Sequence, residues 1–164
     1  MGQAFLPARD GARLSIKRRK LPHWRVPGSI YLVTFRLKTG HLNMPERLLV
    51  LDQIRAGHGT FYVLVAGVVM PDHIHIILRP RKGTTLQRIM KGIKGVSARR
   101  INQRRNRRGA LWLDESWDRI IRDHQELVEK INYVLNNPVK AGLVADRREY
   151  PASYWSGRTT VEEE

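Results

Sequence analysis

The sequence predicts an α+β domain built around one antiparallel sheet. Strand-like runs, rich in β-branched and aromatic residues, alternate along the chain with helix-like runs whose apolar residues recur every three or four positions. The predicted order is strand, helix, strand, strand, helix, strand, followed by one more helix. With 164 residues, of which 41% are hydrophobic, the chain is long enough for one domain with a sizeable core.

The first three elements are indicated by composition and by turn residues. The run IYLVTFR at residues 30–36 is typical of a strand. Pro45 suits the first turn of a helix, which we expect to reach about Gly57. A second strand is predicted over residues 61–70, and a tight Pro-Asp turn follows it.

The next three elements complete the sheet. A strand begins immediately after the Pro-Asp turn, and Thr84 or Thr85 then opens a helix whose apolar spacing continues to Ile101. Residues 110–121 predict one or two short strands. This order is that of the ferredoxin-like, or split βαβ, fold, an antiparallel sheet with two packed helices.

An extra helix near the C-terminus is predicted to follow the sheet. Asp123 and Glu126 form a capping-box-like signature at its start, and we expect Pro138 and Gly142 to end it. Its apolar residues form one stripe that should dock on the sheet. The stripe comprises Leu127, Ile131, Val134 and Leu135.

Composition and charge along the chain indicate three regions and a polyanionic partner. We expect a basic arm at residues 1–29, the folded domain at 30–145 and a C-terminal tail at 146–164. The 30 Lys and Arg against 15 Asp and Glu give a formal charge of +15, which favours nucleic acid as the partner. An anionic membrane surface is disfavoured because no stretch resembles an interfacial amphipathic helix. The chain has no cysteine, which excludes disulfides and thiol chemistry.

Basic residues cluster on the second predicted helix and its extension, and others lie in the arm and around the last helix. Such clusters typically contact phosphates, although exposed charges are often only solvated. Trp112 and Trp117 are candidates either for stacking on unpaired bases or for core packing. The predicted DNA-binding residues are Arg18, Arg19, Lys91, Lys94, Arg99, Arg100, Arg104, Arg105, Arg119, Arg122 and Lys130.

Two histidines interrupt the apolar strand VVMPDHIHIILRP. Because successive side chains of a strand alternate between its faces, His73 and His75 share one face, about 6.6 Å apart along the chain. Two such imidazoles can converge on one metal ion. The alternative is that both histidines are solvated on an exposed sheet face.

The last helix carries a possible partner for the histidine pair. Tyr133 and Asn137 are neighbours one turn apart, on the side opposite the apolar stripe. A tyrosine that attacks a DNA phosphorus would form a covalent phosphotyrosine, and a divalent ion would neutralise the charge that builds up on the phosphate. The metal or Lys130 would assist loss of the phenolic proton. Alternatively, Tyr133 is an ordinary half-buried helix tyrosine.

Several motifs together resemble one known family. The stretches LPHWRVPGSIYLVTFRL, VMPDHIHIILRP, KGIKGVSARRIN, ESWDRIIRD and YVLNNPVKAGLV are similar to those of the REP-associated tyrosine transposases, and the resemblance covers about residues 17–155. These belong to the single-tyrosine HUH transposases, which include the insertion-sequence single-strand transposases. The resemblance implies a ferredoxin-like catalytic domain at 30–145, with the last helix carrying the nucleophile.

The resemblance also implies an activity and roles for four residues. It implies cleavage and rejoining of single-stranded DNA near palindromic hairpins, by a monomer or homodimer that is cytoplasmic and associated with the nucleoid. By motif, Tyr133 would be the nucleophile that takes a 5′-phosphate. His73, His75 and Asn137 would bind the metal, expected to be Mg²⁺ or Mn²⁺.

Two other functions remain open from the sequence. The first is a non-catalytic, basic nucleic-acid-binding module, because split βαβ sheets often bind RNA through aromatic residues. The second is a metal-dependent hydrolase with water as nucleophile, which would need more carboxylates near the histidines than Asp72 alone.

Overall fold

The structure, a computed structural model, describes residues 28–161. Residues 1–27, which include the predicted DNA-binding residues Arg18 and Arg19, lie outside this range. The elements are β1 (Ile30–Leu37), α1 (Met44–Ala56), β2 (Tyr62–Val69), β3 (His73–Pro80), α2 (Leu86–Arg104), β4 (Trp112–Ile121), α3 (His124–Lys140), a short 3-10 helix (Arg147–Glu149) and β5 (Ser153–Trp155).

The strands form one antiparallel sheet in the order β4-β1-β3-β2-β5. The part β4-β1-β3-β2 has the strand order of the ferredoxin-like fold, and β5 pairs with the outer edge of β2. The predicted α+β class and its ferredoxin-like sheet are therefore confirmed. No helix within residues 28–161 has the length and apolar character needed to span a membrane.

The two faces of the sheet carry different helices. Phe35 of β1 packs edge-on against Trp112, with ring centroids 4.9 Å apart, and Lys94 of α2 lies over the Phe35 ring. Thr34, the preceding residue, points to the other face, where it pairs across the strands with His75. Because the His75 ring meets a side chain of α3, that face is the one that α3 covers.

Helices α1 and α2 are joined by a charged contact. Asn43 and Glu46 form a complete capping box at the start of α1. The same Glu46 carboxylate accepts two hydrogen bonds of 2.7 Å from the Arg105 guanidinium, just after α2. This hydrogen-bonded ion pair holds the pKa of Glu46 below its usual value. The pair therefore connects the two helices on the face away from the histidines.

Helix α3 docks through the predicted apolar stripe, all four members of which are buried. The Asp123 side chain caps its start by accepting from the Glu126 N–H at 2.8 Å. The prediction that Pro138 ends the helix is wrong, because α3 continues through it to Lys140. The loss of one N–H in the last turns is tolerated, and Gly142 ends the helix in the left-handed conformation with φ of 72°.

The C-terminal region contributes to the sheet. Residues 146–164 were designated a tail without predicted elements, yet β5 in this stretch pairs with β2. The buried Tyr150 hydroxyl donates a 2.6 Å hydrogen bond to the Val69 carbonyl, which fixes the approach to β5. Residues 110–121, for which one or two short strands were predicted, contain the single ten-residue strand β4.

Candidate functional site

The histidine pair lies under helix α3, on the face of the sheet that this helix covers. The rings of His73 and His75 have centroids 4.9 Å apart and an interplanar angle of 79°. Only 1% of His75 is exposed, and the His73 side chain is 15% exposed. The alternative of two solvated histidines on an open face therefore does not apply.

Each imidazole is held through the same ring nitrogen. Nδ1 of His75 lies 2.7 Å from the Thr34 hydroxyl, and Nδ1 of His73 lies 2.7 Å from a carboxylate oxygen of Asp72. Nε2 of His75 is buried and has no hydrogen-bond partner among the described residues. A buried polar atom without a partner is costly, so this nitrogen fits a ligand, such as a metal ion, that would accept its lone pair.

Tyr133 of α3 lies directly against this pair. Its ring centroid is 5.4 Å from that of His75, with the rings inclined by 67°. Burial raises the pKa of the Tyr133 phenol, against the effects of a hydrogen bond with the Asn137 side chain and the charge of Arg36. The phenol is therefore protonated at neutral pH. The Asn137 amide nitrogen also lies 3.5 Å from the Tyr133 carbonyl oxygen, which places Asn137 one turn along the same face.

The charge states of His75 and Asp72 follow from their surroundings. Burial, followed by the charges of His73 and Arg36, lowers the pKa of His75 well below its usual value, so its ring is neutral at neutral pH. Burial works to raise the pKa of Asp72, but the hydrogen bond and charge of His73, with the charge of Arg36, outweigh it and lower that pKa. A neutral His75 with its hydrogen on Nδ1 leaves the Nε2 lone pair free to bind a metal.

The donor set near the pair is limited. No group of three or more His, Asp or Glu side chains suited to a metal ion occurs within residues 28–161. An ion at this place would depend on His73 and His75, together with an oxygen such as that of Asn137. Two imidazoles and an amide oxygen suit a divalent ion that keeps other positions for water and phosphate oxygens. In donor type, the two imidazoles and the amide oxygen are therefore compatible with a divalent metal ion.

Arg36, a residue that the sequence analysis did not single out, belongs to the same site. It is the cross-strand partner of His73, so both side chains point to one face. The run IYLVTFR reads as a strand, and an arginine at its end looks like an ordinary solvated charge. Arg36 and Thr34 are two residues apart in β1, so the sequence already predicts that their side chains share one face. That this face also carries the histidines follows only from the pairing of β1 with β3.

The structure divides the predicted DNA-binding residues into two groups. Lys94, Arg105 and Arg119 have internal partners: Lys94 donates to the Leu113 carbonyl at 2.6 Å, and Arg119 pairs with Glu126 at 2.6 Å. Lys130 is partly buried, and burial followed by the charge of Arg119 lowers its pKa. The exposed members are Lys91, Arg99, Arg100, Arg104 and Arg122.

The two tryptophans proposed for base stacking differ in the same way. Trp112 is buried and its indole N–H donates to the Ser97 hydroxyl at 3.0 Å, so it is a core residue. Trp117 is partly exposed and pairs across the strands with Thr34, on the face that carries His75. Trp117 alone therefore remains a candidate for stacking beside the histidine pair.

Comparisons with known proteins agree with the motifs. Residues 52–121 match the family model described as "Transposase IS200 like". A curated "Putative REP-associated tyrosine transposase" of Haemophilus influenzae is 27% identical over 99 residues, which cover 54% of this chain and 56% of the relative. The matched region thus spans about half the length of that relative.

A solved structure supports the fold. The structure of a REP-associated tyrosine transposase bound to a REP hairpin superposes with a TM-score of 0.65 at 20% identity, covering 85% of this chain and 92% of the other. At that identity the likeness establishes a shared fold. Taken with the family match and the curated relative, it shows that this chain resembles the REP-associated tyrosine transposases, among the IS200-like transposases.

Proposed function

We propose that this chain cleaves and rejoins single-stranded DNA beside hairpin-forming sequences, through a covalent 5′-phosphotyrosine at Tyr133. The broad class, a DNA transposase, is supported by the family match and by the name of the curated relative. Hairpin DNA as substrate is supported by the similar fold that was solved with a REP hairpin. The excess of 15 positive charges fits such a substrate.

One observation carries the proposal: the Tyr133 ring packs on His75, whose Nε2 is buried and unpartnered among the described residues. A phenol beside a place suited to a cation is the arrangement that nucleophilic attack on a phosphate requires. Neither feature is needed for passive DNA binding. The helix that carries Tyr133 is anchored on the sheet by its buried stripe, so the phenol is held in position.

The reaction balances as a displacement at phosphorus. A bond forms between the Tyr133 oxygen and phosphorus, and the bond from phosphorus to the 3′-oxygen breaks. The 3′-oxygen takes up a proton and leaves as a hydroxyl, and the phenolic proton is lost. Lys130, which lies one turn before Tyr133 on α3, or a bound metal ion would assist loss of that proton. Attack by a 3′-hydroxyl on the phosphotyrosine reverses these steps and rejoins DNA.

Magnesium or manganese, when bound by His73, His75 and Asn137, would supply positive charge against the non-bridging phosphate oxygens. Thr34 and Asp72 would orient the two imidazoles through their Nδ1 atoms. The exposed arginines of α2 would hold the DNA backbone without reading its sequence. Action as a monomer or homodimer, and association with the nucleoid, form part of this proposal.

Formation of a covalent adduct tests the proposal. Labelled hairpin single-stranded DNA is incubated with the protein and Mg²⁺ or Mn²⁺, and the products are separated under denaturing conditions. We expect an adduct with wild type and none with Tyr133→Phe, which should still bind the DNA. Tyr154→Phe is the matched control, because Tyr154 lies on the opposite face of the sheet, under Arg55 of α1.

The other outcomes each favour a different function. Cleavage without an adduct would indicate a metal-dependent hydrolase. Binding without cleavage, with either metal, would indicate a non-catalytic nucleic-acid-binding module. An adduct that persists in Tyr133→Phe would move the nucleophile to another residue.

A further inference from the structure

Arg36 occupies a special position at the end of β1. It pairs with His73 of β3, so its side chain projects from the sheet on the face that carries both histidines. On the other side of β1, the register with β4 shifts between Phe35 and Leu37, so Arg36 falls where the regular pairing with β4 is interrupted. Such irregularities often occur next to active sites, where they redirect a side chain.

The Arg36 side chain shares one face of the sheet with the candidate site. Arg36 lies opposite His73 and Thr34 lies opposite His75, so these side chains project to the face on which the Tyr133 ring packs. No hydrogen bond or ion pair joins the Arg36 guanidinium to another residue in the described range 28–161.

This combination is unusual among the basic residues of the domain. Arg105 and Arg119 also lie near functional or structural elements, but each has a carboxylate partner. Arg36 is only partly exposed and has its donors available on the face where Tyr133 and His75 meet. A planar guanidinium with five N–H donors binds two oxygens of one phosphate, which an ammonium cannot do as well.

We propose that Arg36 is a further catalytic residue, whose guanidinium binds non-bridging oxygens of the phosphate that Tyr133 attacks. The inference rests on the proposed function. During the displacement, negative charge is spread over the oxygens that are neither attacking nor leaving. A fixed cation beside them stabilises the transition state more than the bound substrate, so Arg36 acts mainly on the rate of the chemical step.

The experiment compares single-turnover rates of adduct formation on hairpin DNA. We expect Arg36→Gln to lower the rate about 100- to 1,000-fold, as loss of one fixed donor typically does. Arg36→Lys keeps the positive charge but cannot bind two oxygens of one phosphate as well, so its rate should lie between those of wild type and Arg36→Gln. DNA affinity, measured by anisotropy, should change less than about fivefold, since many other cations contact the backbone. Arg55→Gln, on the opposite face of the sheet, is the matched control.

A second substrate separates contact with the phosphate from a structural role. A methylphosphonate at the cleaved position replaces one charged oxygen by a methyl group and removes the negative charge. If Arg36 binds that phosphate, the ratio of wild-type to Arg36→Gln rates should fall towards one on this substrate. A residue that only supports the fold would show the same ratio on both substrates, which would overturn the inference.

The remaining outcomes are also decisive. If wild type forms an adduct and Arg36→Gln forms it at the same rate, Arg36 has no catalytic role and the proposed function stands. If wild type forms no adduct, the proposed function fails and the role of Arg36 fails with it. If circular dichroism shows that Arg36→Gln is unfolded, the ratio of wild-type to Arg36→Lys rates is compared on the two substrates instead. A ratio that falls towards one on the methylphosphonate supports the inference, and an equal ratio overturns it.

Discussion

Replacing Thr34 by valine should weaken both the fold and the metal site. The Thr34 hydroxyl lies 2.7 Å from Nδ1 of the buried His75. If Nε2 binds the metal, Nδ1 carries the hydrogen and donates it to Thr34. Valine has nearly the same shape but accepts no hydrogen bond, so Thr34→Val leaves a buried N–H without a partner.

The magnitude follows from the burial of both groups. Only 3% of Thr34 and 1% of His75 are exposed, so water cannot replace the lost acceptor. An unsatisfied buried donor costs about 1 to 3 kcal/mol in the free energy of unfolding. At roughly 3 °C per kcal/mol for a chain of this size, Tm should fall by about 3 to 9 °C. Losing the group that orients a ligating histidine should weaken metal binding about 10- to 100-fold.

Two measurements check these values. Thermal unfolding with EDTA present gives the change in stability, and titration calorimetry with Mn²⁺ gives the change in affinity. Thr34→Ser is the control: it keeps the hydroxyl and loses one methyl group, so it should cost about 1 kcal/mol and leave Mn²⁺ affinity unchanged. Wild-type Tm and Mn²⁺ affinity in Thr34→Val would refute the reasoning, and absence of Mn²⁺ binding by wild type would refute the metal site.

Three further predictions concern stability and DNA binding. Glu46→Gln should destabilise the protein by about 1.5 to 3 kcal/mol near neutral pH, because it breaks the charged hydrogen bonds with Arg105. Because the pKa of Glu46 is lowered in the folded protein, the stabilisation by its carboxylate is fully present above the ordinary glutamate pKa and is lost as pH falls through the lowered pKa. Urea denaturation at several pH values should therefore show the difference in stability between wild type and Glu46→Gln shrinking towards acidic pH. The double variant R99Q/R100Q should reduce the salt dependence of single-stranded DNA affinity, log K against log salt, by about 1.4, and an unchanged slope would mean that neither arginine contacts phosphate. Leu127→Ala should lower the free energy of unfolding by about 2 to 5 kcal/mol in urea denaturation, because Leu127 of α3 is only 3% exposed; a smaller loss would show that this helix is loosely docked.

The sheet was predictable from local patterns. Alternation along β3 placed His73 and His75 on one face, and the helical spacing of α3 gave its buried stripe correctly. Both periods are imposed by backbone geometry, so they can be read without knowing the tertiary structure. Tyr133 was expected near the histidine pair but on the side of α3 opposite the buried stripe. That placement is wrong, because its ring packs on His75 and against the core, so Tyr133 lies on the flank of α3 that faces the sheet.

Errors arose where tertiary contacts override local preference. Pro138 was expected to end α3, but the helix is anchored by packing and by the cap at Gly142, so it continues. The hydrogen bond from the Lys94 ammonium to the carbonyl of Leu113 was likewise not predicted. Such partners belong to distant parts of the chain, and composition alone does not reveal them.

Arg36 and β5 were missed for a related reason. The position of Arg36 beside His73 depends on which strands are neighbours and in what register. The three residues of β5 are too few to show a strand pattern, and they form a strand because the edge of β2 is available to them. In both cases the position of the residue depends on which strands pair, and the local sequence does not determine that pairing.

We expect the short strand β5 also to limit self-association of the protein. It covers the backbone of Ala66, Gly67 and Val68, in a strand that is almost wholly apolar. Deleting residues 150–161 would uncover unbonded amides and carbonyls along that hydrophobic border, which is a ready template for strand addition between molecules. A truncated protein should accordingly precipitate or form oligomers during expression, even though every residue of the histidine and tyrosine cluster is retained.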